Sequence, residues 1–518
     1  MEKFMPTALI SVSDKQGIIT FTHELQVLGW NIIASSGTTK LLRQANVNCQ
    51  AITEYIDYPE ILDGRVKTLN PKIYGGILAI RNNNNHMKQL HHYKIDKIDM
   101  VVVNLYPFET IISKIHKPIN KIIDQQVIEN IDIGGVSLLR AAAKNYRDVI
   151  VICDSSDYES IIINLKNNTL SDTMKLGLAA KAFRYTSYYD SLIAEYFTYD
   201  NLYMCDTVTI PLKKISALRY GENPHQRAAL YSCNNNMSCK QINGKELSYN
   251  NYLDVESASR VVNEFDKPTC VIIKHNNPCG CASNTNLKEA YIRALECDIT
   301  SAFGGVIAFN KEIDDNTAIE LNKLFIECII APKYSGNAVN ILTKKKNIRL
   351  LIQNELMYNA TNKYTLRMTD YGILIQEQDN QLVSEFKIAT IRKPNEIEIC
   401  SLNFALKIAK HVKSNAIVLV RGEQTVGIGA GQMSRIDSLK IASNKMSVMK
   451  SHVDETLLPL VLASDAFFPF ADVVELAYKL GVKAIIQPGG SIKDDDSIQA
   501  ANEHNMTMIM TGIRHFRH

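Results

Sequence analysis

Two hydroxyl-rich turns are placed where this chain could hold an anion. Ser11-Val12-Ser13-Asp14-Lys15 and Ser35-Ser36-Gly37-Thr38-Thr39-Lys40 each end an apolar, strand-like run and lead into a helix-like one. A helix N-terminus offers unpaired N–H groups and partial positive charge, so phosphate binds there; Ser and Thr add short donors and Lys a point charge. Either turn taken alone reads better as hydroxyls capping a helix. Two such turns at neighbouring strand ends favour a phosphate site, because ligands of open α/β sheets sit beyond the carboxyl ends of the strands. Asp63-Gly64-Arg65-Val66-Lys67-Thr68-Leu69-Asn70-Pro71 packs two cations into a turn, which a surface loop explains equally well. Lys144 follows three alanines on a helix-like stretch and reads, by itself, as solvent-facing. Lys274 and His275 stand at the end of the buried run Thr269–Ile273, before Asn276-Asn277-Pro278. Pro278-Cys279-Gly280-Cys281 invites a metal reading. Zinc deaminases, however, pair H-x-E with P-C-x-x-C; here the spacing is C-x-C without a preceding H-x-E, and no metal is expected.

The elements that must position these groups alternate between strand and helix. Thr7–Val12, Asn31–Ala34, Asp99–Val103 and Asp148–Ile152 are short buried runs. Between the first two, Ile18, Phe21, Leu25 and Leu28 recur at helical spacing, closed by Gly29. Such alternation predicts an α/β fold with a mostly parallel, doubly wound sheet over residues 1–150. Residues 151–205 are rich in Tyr and Ala and read as a helical connector. Residues 206–518 again hold buried runs, at Thr269–Ile273, Ala416–Val420, Leu458–Leu462, Ala484–Ile486 and Met506–Met510, with a hairpin around Arg421–Gln424. The 518 residues suit several domains. A net charge of +3 gives no argument for nucleic acid or membrane, and no run reaches the apolar length of a membrane span. Eleven scattered cysteines fit reduced thiols in the cytoplasm better than a disulfide framework.

Taken together, the strings SxSDKxG, SSGT, GRVKTLxP, NLYPF, DIGG and RAAAKN occur in an order that resembles the bifunctional purine biosynthesis family, in which AICAR formyltransferase is fused to IMP cyclohydrolase. The later strings RYGENPHQ, KHNNPCG, SAFGG, IIAP, GIGAGQMSR and SDAFFPF agree, so the resemblance spans essentially the whole chain. It implies an N-terminal methylglyoxal-synthase-like domain and a C-terminal pair of cytidine-deaminase-like halves. The first domain would close the ring of formyl-AICAR to give IMP. There the resemblance puts the nucleotide on Ser13, Asp14, Lys15, Ser35, Ser36, Gly37, Thr38, Arg65, Val66 and Thr68. Asn104, Tyr106, Asp132 and Ile133 would surround the base, with Lys144 as proton donor and acceptor and Lys67 assisting. The second region would move a formyl group from 10-formyltetrahydrofolate to AICAR, with His275 as base and Lys274 as electrostatic partner. AICAR would lie on Arg219, Tyr220, Gly304, Glu327, Asn415, Arg435 and Phe467, and folate on Ile436, Asp472, Ser491, Ile492 and Arg514. The family also implies a homodimer with the transferase site at its interface. Three positions depart from the family pattern: Asn70 for His, Val136 for Pro and Ala471 for Arg. Two alternatives remain for the first domain, a methylglyoxal-synthase-type lyase and a nucleotide-binding allosteric module; Lys144 and Lys67 beside the phosphate loops favour catalysis over the latter.

Overall fold

A computed structural model describes residues 5–114, 124–198, 205–233, 239–353, 364–449 and 458–518. The chain divides into two compact units, Met1–Leu212 and Lys213–His518.

In the first unit, β1 (Thr7–Val12), β2 (Asn31–Ala34), β3 (Gln50–Ala51), β4 (Met100–Asn104) and β5 (Ile150–Ile152) form one parallel sheet in the order β3-β2-β1-β4-β5. Leu9 lies opposite both Ile33 and Val101, which fixes the register of the central three strands. The strands are continuous apolar runs because both faces are covered. Leu9, Ile33, Val101 and Val103 face one core with the helix Gly134–Lys144, while Ile10, Ile32, Val102 and Ile152 face the other with Ile18–Val27. Strand order reverses between β1 and β4, so a crevice opens beyond their carboxyl ends.

The tyrosine-rich segment, read from the sequence as a helical connector, packs on the first unit. It forms the helix Asp172–Phe197, which buries Ala179, Ala182, Tyr189, Leu192 and Tyr196 in the core of this unit. Its hydroxyls reach the loops around the crevice. Tyr185 Oη accepts from Leu105 N–H at 3.1 Å, and Tyr189 Oη accepts from Asp132 N–H at 2.9 Å while donating to the Asn130 carbonyl.

The second unit contains β6 (Lys213–Leu218), β7 (Ala228–Ser232), β8 (Cys239–Asn243), β9 (Thr269–Lys274), β10 (Asn277–Ser283), β11 (Val306–Phe309), β12 (Cys328–Ala331), β13 (Arg349–Gln353), β14 (Tyr364–Thr369), β15 (Gly372–Glu377), β16 (Lys387–Ile388), β17 (Ile417–Arg421), β18 (Gln424–Gly429), β19 (Leu460–Ser464), β20 (Val482–Gln487) and β21 (Thr507–Met510). The pairs β6–β7 and β14–β15 are separate hairpins. The other twelve strands form one sheet, β16-β21-β20-β19-β17-β18-β10-β9-β11-β12-β13-β8. The order is a palindrome of two equivalent halves. In each, a short outer strand precedes a helix, a hairpin and three parallel strands. The halves join where β10 meets β18 antiparallel, at Ala282 opposite Gln424, sealed by the Thr425 hydroxyl donating to the Cys281 carbonyl at 3.1 Å. The duplication that the resemblance implied is therefore present in the topology. The C-terminal runs appear as strands with shifted bounds. Leu458 precedes β19 because its carbonyl accepts from the Arg421 guanidinium instead of a neighbouring strand.

Candidate functional sites

In the first unit the loops after β1, β2 and β4 meet at the crevice. Asn104, the last residue of β4, accepts the N–H groups of Ser13 at 2.5 Å and Asp14 at 2.9 Å, and donates to the Asp14 carbonyl at 2.9 Å. The Lys15 ammonium donates to Thr38 Oγ at 2.9 Å and to the Val12 carbonyl, joining the two hydroxyl-rich turns. Lys67 reaches in from the third loop and donates to Tyr106 Oη at 3.0 Å. Burial and the nearby charge of Lys67 lower the Lys15 pKa, against the charge of Asp14. Burial alone would lower Lys67, but its bond to Tyr106 and the charges of Tyr106, Glu60 and Asp132 outweigh it, and its pKa is raised.

The helix Gly134–Lys144 points its N-terminus at this crevice. Asp132 is tied there by the Gly135 N–H at 2.6 Å, and burial raises its carboxyl pKa. The buried Thr68 hydroxyl has no partner and faces Gly134 so closely that a Cβ on that glycine would stand 2.4 Å from it. Ser13, Asp14, Lys15, Ser35, Thr38, Lys67, Thr68, Asn104, Tyr106 and Asp132 are thus gathered by bonds or close contact. Ser36 is bound by the Glu60 carboxylate, and Arg65 is exposed and paired with Glu129. Gly37 borders open space, and the Ile133 side chain is exposed. Lys144 is not brought to this crevice. It is an exposed residue at the far end of the helix, about 15 Å along the axis from Gly134. Its neighbour Asn145 donates to the Ile77 and Ala79 carbonyls.

In the second unit the sequence-expected residues fall along one edge of the twelve-stranded sheet. His275 and Asn276 form the two-residue turn between β9 and β10, with φ of 51° and 63°. Left-handed φ at both positions is the geometry of a type I′ hairpin; Asn tolerates it and His less so. The turn is held by Asp254, which accepts the Asn276 N–H at 2.7 Å, and by Asn277 Oδ1, which accepts the Lys413 N–H at 2.9 Å. His275 is left exposed. The Lys274 ammonium donates to the carbonyls of Phe303 and Gly304, both at 3.0 Å. A cavity of about 240 Å³ opens beside the turn, lined among others by Lys274, His275, Cys279, Asp298 and Lys445. Glu327, before β12, pairs with Arg349 at 2.6 Å.

The remaining residues lie toward the other half of the same edge. Asn415 precedes β17 and donates to the Gln432 carbonyl at 2.9 Å. Arg435 is half-buried against Asp465 at 3.4 Å, with Nε unpartnered. Phe467, Asp472, Ser491 and Arg514 follow the ends of β19, β20 and β21, with Ile436 and the fully exposed Ile492 near them. Arg219 and Tyr220 follow β6, in the separate β6–β7 hairpin, and the Arg219 guanidinium lies over the Tyr220 ring at 5.2 Å. Glu327, just before β12, and Phe467, just after β19, belong to strands six spacings apart, roughly 29 Å. Among the described residues no group of three His, Cys, Asp or Glu is arranged to hold a metal ion, and no helix is long and apolar enough to cross a membrane.

Comparison with known proteins decides between the readings. The family described as AICARFT/IMPCHase bienzyme matches residues 142–445, and the MGS-like domain matches residues 17–137. The bifunctional purine biosynthesis protein PurH of Acetivibrio thermocellus is 47% identical over 99% of both chains. That of Caldicellulosiruptor saccharolyticus is 48% identical over the same shares, and that of Bacillus subtilis is 46% identical. The chain belongs to the AICARFT/IMPCHase bienzyme family. It is a bifunctional enzyme of purine biosynthesis, joining AICAR formyltransferase and IMP cyclohydrolase, and the first of these activities implies a formyl donor of the folate type. An MGS-like first domain, matched as part of a full-length bienzyme, takes the place of a free-standing lyase or effector module. Sequence reading missed Glu60, Glu129, Tyr185 and Tyr189. The four-residue spacing of the two tyrosines, which puts them on one helix face, was the available signal.

Proposed function

We propose that ring closure takes place in the crevice of the first unit, with Lys67 at the reacting end. The nucleotide phosphate would take the hydroxyls and N–H groups of Ser13–Lys15, Ser35–Thr38 and Thr68, with Arg65 released from Glu129 to join it. The carboxamide nitrogen attacks the formyl carbon and loses one proton, the formamide nitrogen loses the second as the C=N bond forms, and the formyl oxygen, having gained charge and taken up two protons, leaves as water. The Lys67 ammonium donates to that oxygen, Tyr106 orients Lys67, and Asp132 accepts the carboxamide N–H. Holding the two groups in contact supplies much of the rate, since an amide is a weak nucleophile. The observation that carries this reading is the convergence of Lys15, Lys67 and the unpartnered Thr68 hydroxyl at one switch point. Lys144, which the resemblance made the proton donor and acceptor, has no part in this scheme.

For formyl transfer, His275 takes the proton from the AICAR amine as it attacks the formyl carbon of 10-formyltetrahydrofolate. Lys274 stabilises the oxyanion from its seat on the Phe303 and Gly304 carbonyls. AICAR would contact Arg219, Tyr220, Gly304, Glu327, Asn415, Arg435 and Phe467, and folate Ile436, Asp472, Ser491, Ile492 and Arg514. A ligand the size of AICAR does not span roughly 29 Å. This separation supports a homodimer in which each transferase site takes the Lys274–Glu327 side from one subunit and the Phe467 side from the other. Complementation tests it. Co-expressed His275→Ala and Phe467→Ala chains should regain about a quarter of wild-type transfer, one intact site per mixed dimer. No recovery in mixed dimers refutes the shared site. Eleven cysteines scattered along the chain suit a reducing, cytoplasmic setting better than a disulfide framework.

A further inference from the structure

The loop that carries Lys67 has a second functional end. Its neck is an antiparallel bridge between Ile61 and Val66, with Ile61 N–H donating to Val66 at 3.2 Å and Val66 N–H donating back at 3.4 Å. Glu60 and Lys67 are the residues that flank this bridge on its outer side, and the Glu60 carboxylate is near enough for its charge to act on Lys67. The turn beyond the neck runs through left-handed backbone at Leu62, Asp63 and Gly64, with φ of 54°, 54° and 84°. Leucine rarely adopts that conformation, and here it also exposes its side chain. A surface loop with no task has no reason to hold so unfavourable a turn. Its effect is to hold two opposite charges side by side while each bonds a different partner. Lys67 goes to Tyr106, at the base end of the crevice, and Glu60 accepts a hydrogen bond from the Ser36 hydroxyl, in the phosphate turn.

We infer that Glu60 is a positioning residue of the ring-closure site, a crossbar that couples the phosphate turn at Ser36 to the ammonium of Lys67. The inference rests on the ring-closure reading above. The groups facing Lys67 are Glu60 on its own loop, Tyr106 after β4, Asp132 before the helix Gly134–Lys144, and Lys15 after β1. Lys15 and Glu60 both bind the phosphate turn, Lys15 at Thr38 and Glu60 at Ser36, and of the two Glu60 carries the charge opposite to Lys67. It would keep Lys67 protonated and set the distance between phosphate and reacting end. It adds no step of its own.

The test compares Glu60→Gln, Glu60→Ala and Glu60→Asp with Lys67→Met in the full-length chain. The readouts are kcat/KM for formyl-AICAR against pH, with formyl transfer in the same chain as a check on folding. Glu60→Ala should lower kcat/KM for ring closure about tenfold, the size of one charge-assisted hydrogen bond. Glu60→Gln, which keeps the Ser36 bond but loses the charge, should move the basic limb of the profile to lower pH, because Lys67 then deprotonates more readily. Glu60→Asp should restore that limb. The inference fails if Glu60→Ala stays within about twofold of wild type, or if Glu60→Gln leaves the basic limb where it was. If Lys67→Met itself closes the ring normally, the site reading fails first, and the two failures are told apart.

Discussion

Gly134→Ala puts the ring-closure geometry to a quantitative test. A methyl there would stand 2.4 Å from Thr68 Oγ, whereas an ordinary contact needs about 3.4 Å, so Thr68 must retreat by about 1 Å. Threonine is stiff about χ1 and this one is buried, so the backbone of the Lys67 loop moves with it. A displacement of about 1 Å at a reacting geometry costs on the order of a hundredfold in rate, or about 2.7 kcal/mol. Helix propensity, at most about 1 kcal/mol in favour of alanine, offsets only part of the overpacking cost of about 1–3 kcal/mol, so the thermal midpoint should hold or fall by a few degrees. The assay is the absorbance change on conversion of formyl-AICAR to IMP, with formyl transfer from AICAR measured on the same sample. Ring closure should fall about a hundredfold with transfer unchanged. Adding Thr68→Ser should recover part of the loss, because the serine hydroxyl can rotate away. Wild-type ring closure in Gly134→Ala would refute the role given to Thr68 and the helix N-terminus, and loss of both activities would refute their separation.

Lys67→Met should lower ring closure by about 10²–10⁴, while Lys144→Ala, at the far exposed end of its helix, should leave it within a few-fold; the reverse ranking would move the proton transfer to Lys144. Glu264 ties the two halves of the second unit together through Lys410 at 3.0 Å and His411 at 2.8 Å. Burial raises its pKa, but the His411 bond and the charges of His411 and Lys410 outweigh this and bring it to about 2. A carboxyl depressed on folding stabilises above its unfolded value, about 4.3, and that stability is lost as pH falls toward about 2. Glu264→Gln should therefore cost on the order of 3 kcal/mol near pH 7 in urea unfolding, with the gap to wild type closing as pH falls through that window. A gap independent of pH would show that the charge of Glu264 does not carry the stabilisation.

The strands of the first unit were readable because each is buried on both faces and so is written as an apolar run. The phosphate turns were readable because hydroxyls and lysines follow those runs directly. What the sequence could not display was distance. Lys144 lies only 12 residues after Asp132, yet an α-helix separates them by its length. Glu60 looks like any surface acid until the fold closes the loop at the Ile61–Val66 bridge and brings the Ser36 hydroxyl to its carboxylate. The duplication in the second unit was hidden because the two halves share connectivity and little spelling. The turn Lys274-His275-Asn276-Asn277 corresponds to Arg421-Gly422-Glu423-Gln424, where glycine takes the left-handed position that histidine holds in the first half. His275 thus occupies a backbone niche better suited to glycine, a mismatch that reads as function only once the φ angle is known.

The outer strands of the large sheet bear on how such a protein stays dispersed when crowded. Parallel ladders left bare at their margins would offer templates for stacking one molecule on another. Here each flank ends instead in a short strand of opposite direction, the two-residue Lys387–Ile388 on one side and Cys239–Asn243, carrying Lys240, on the other. Brevity and lysine at these margins deny a foreign strand a long, neutral partner, so a sheet twelve strands wide can terminate without inviting fibrous growth.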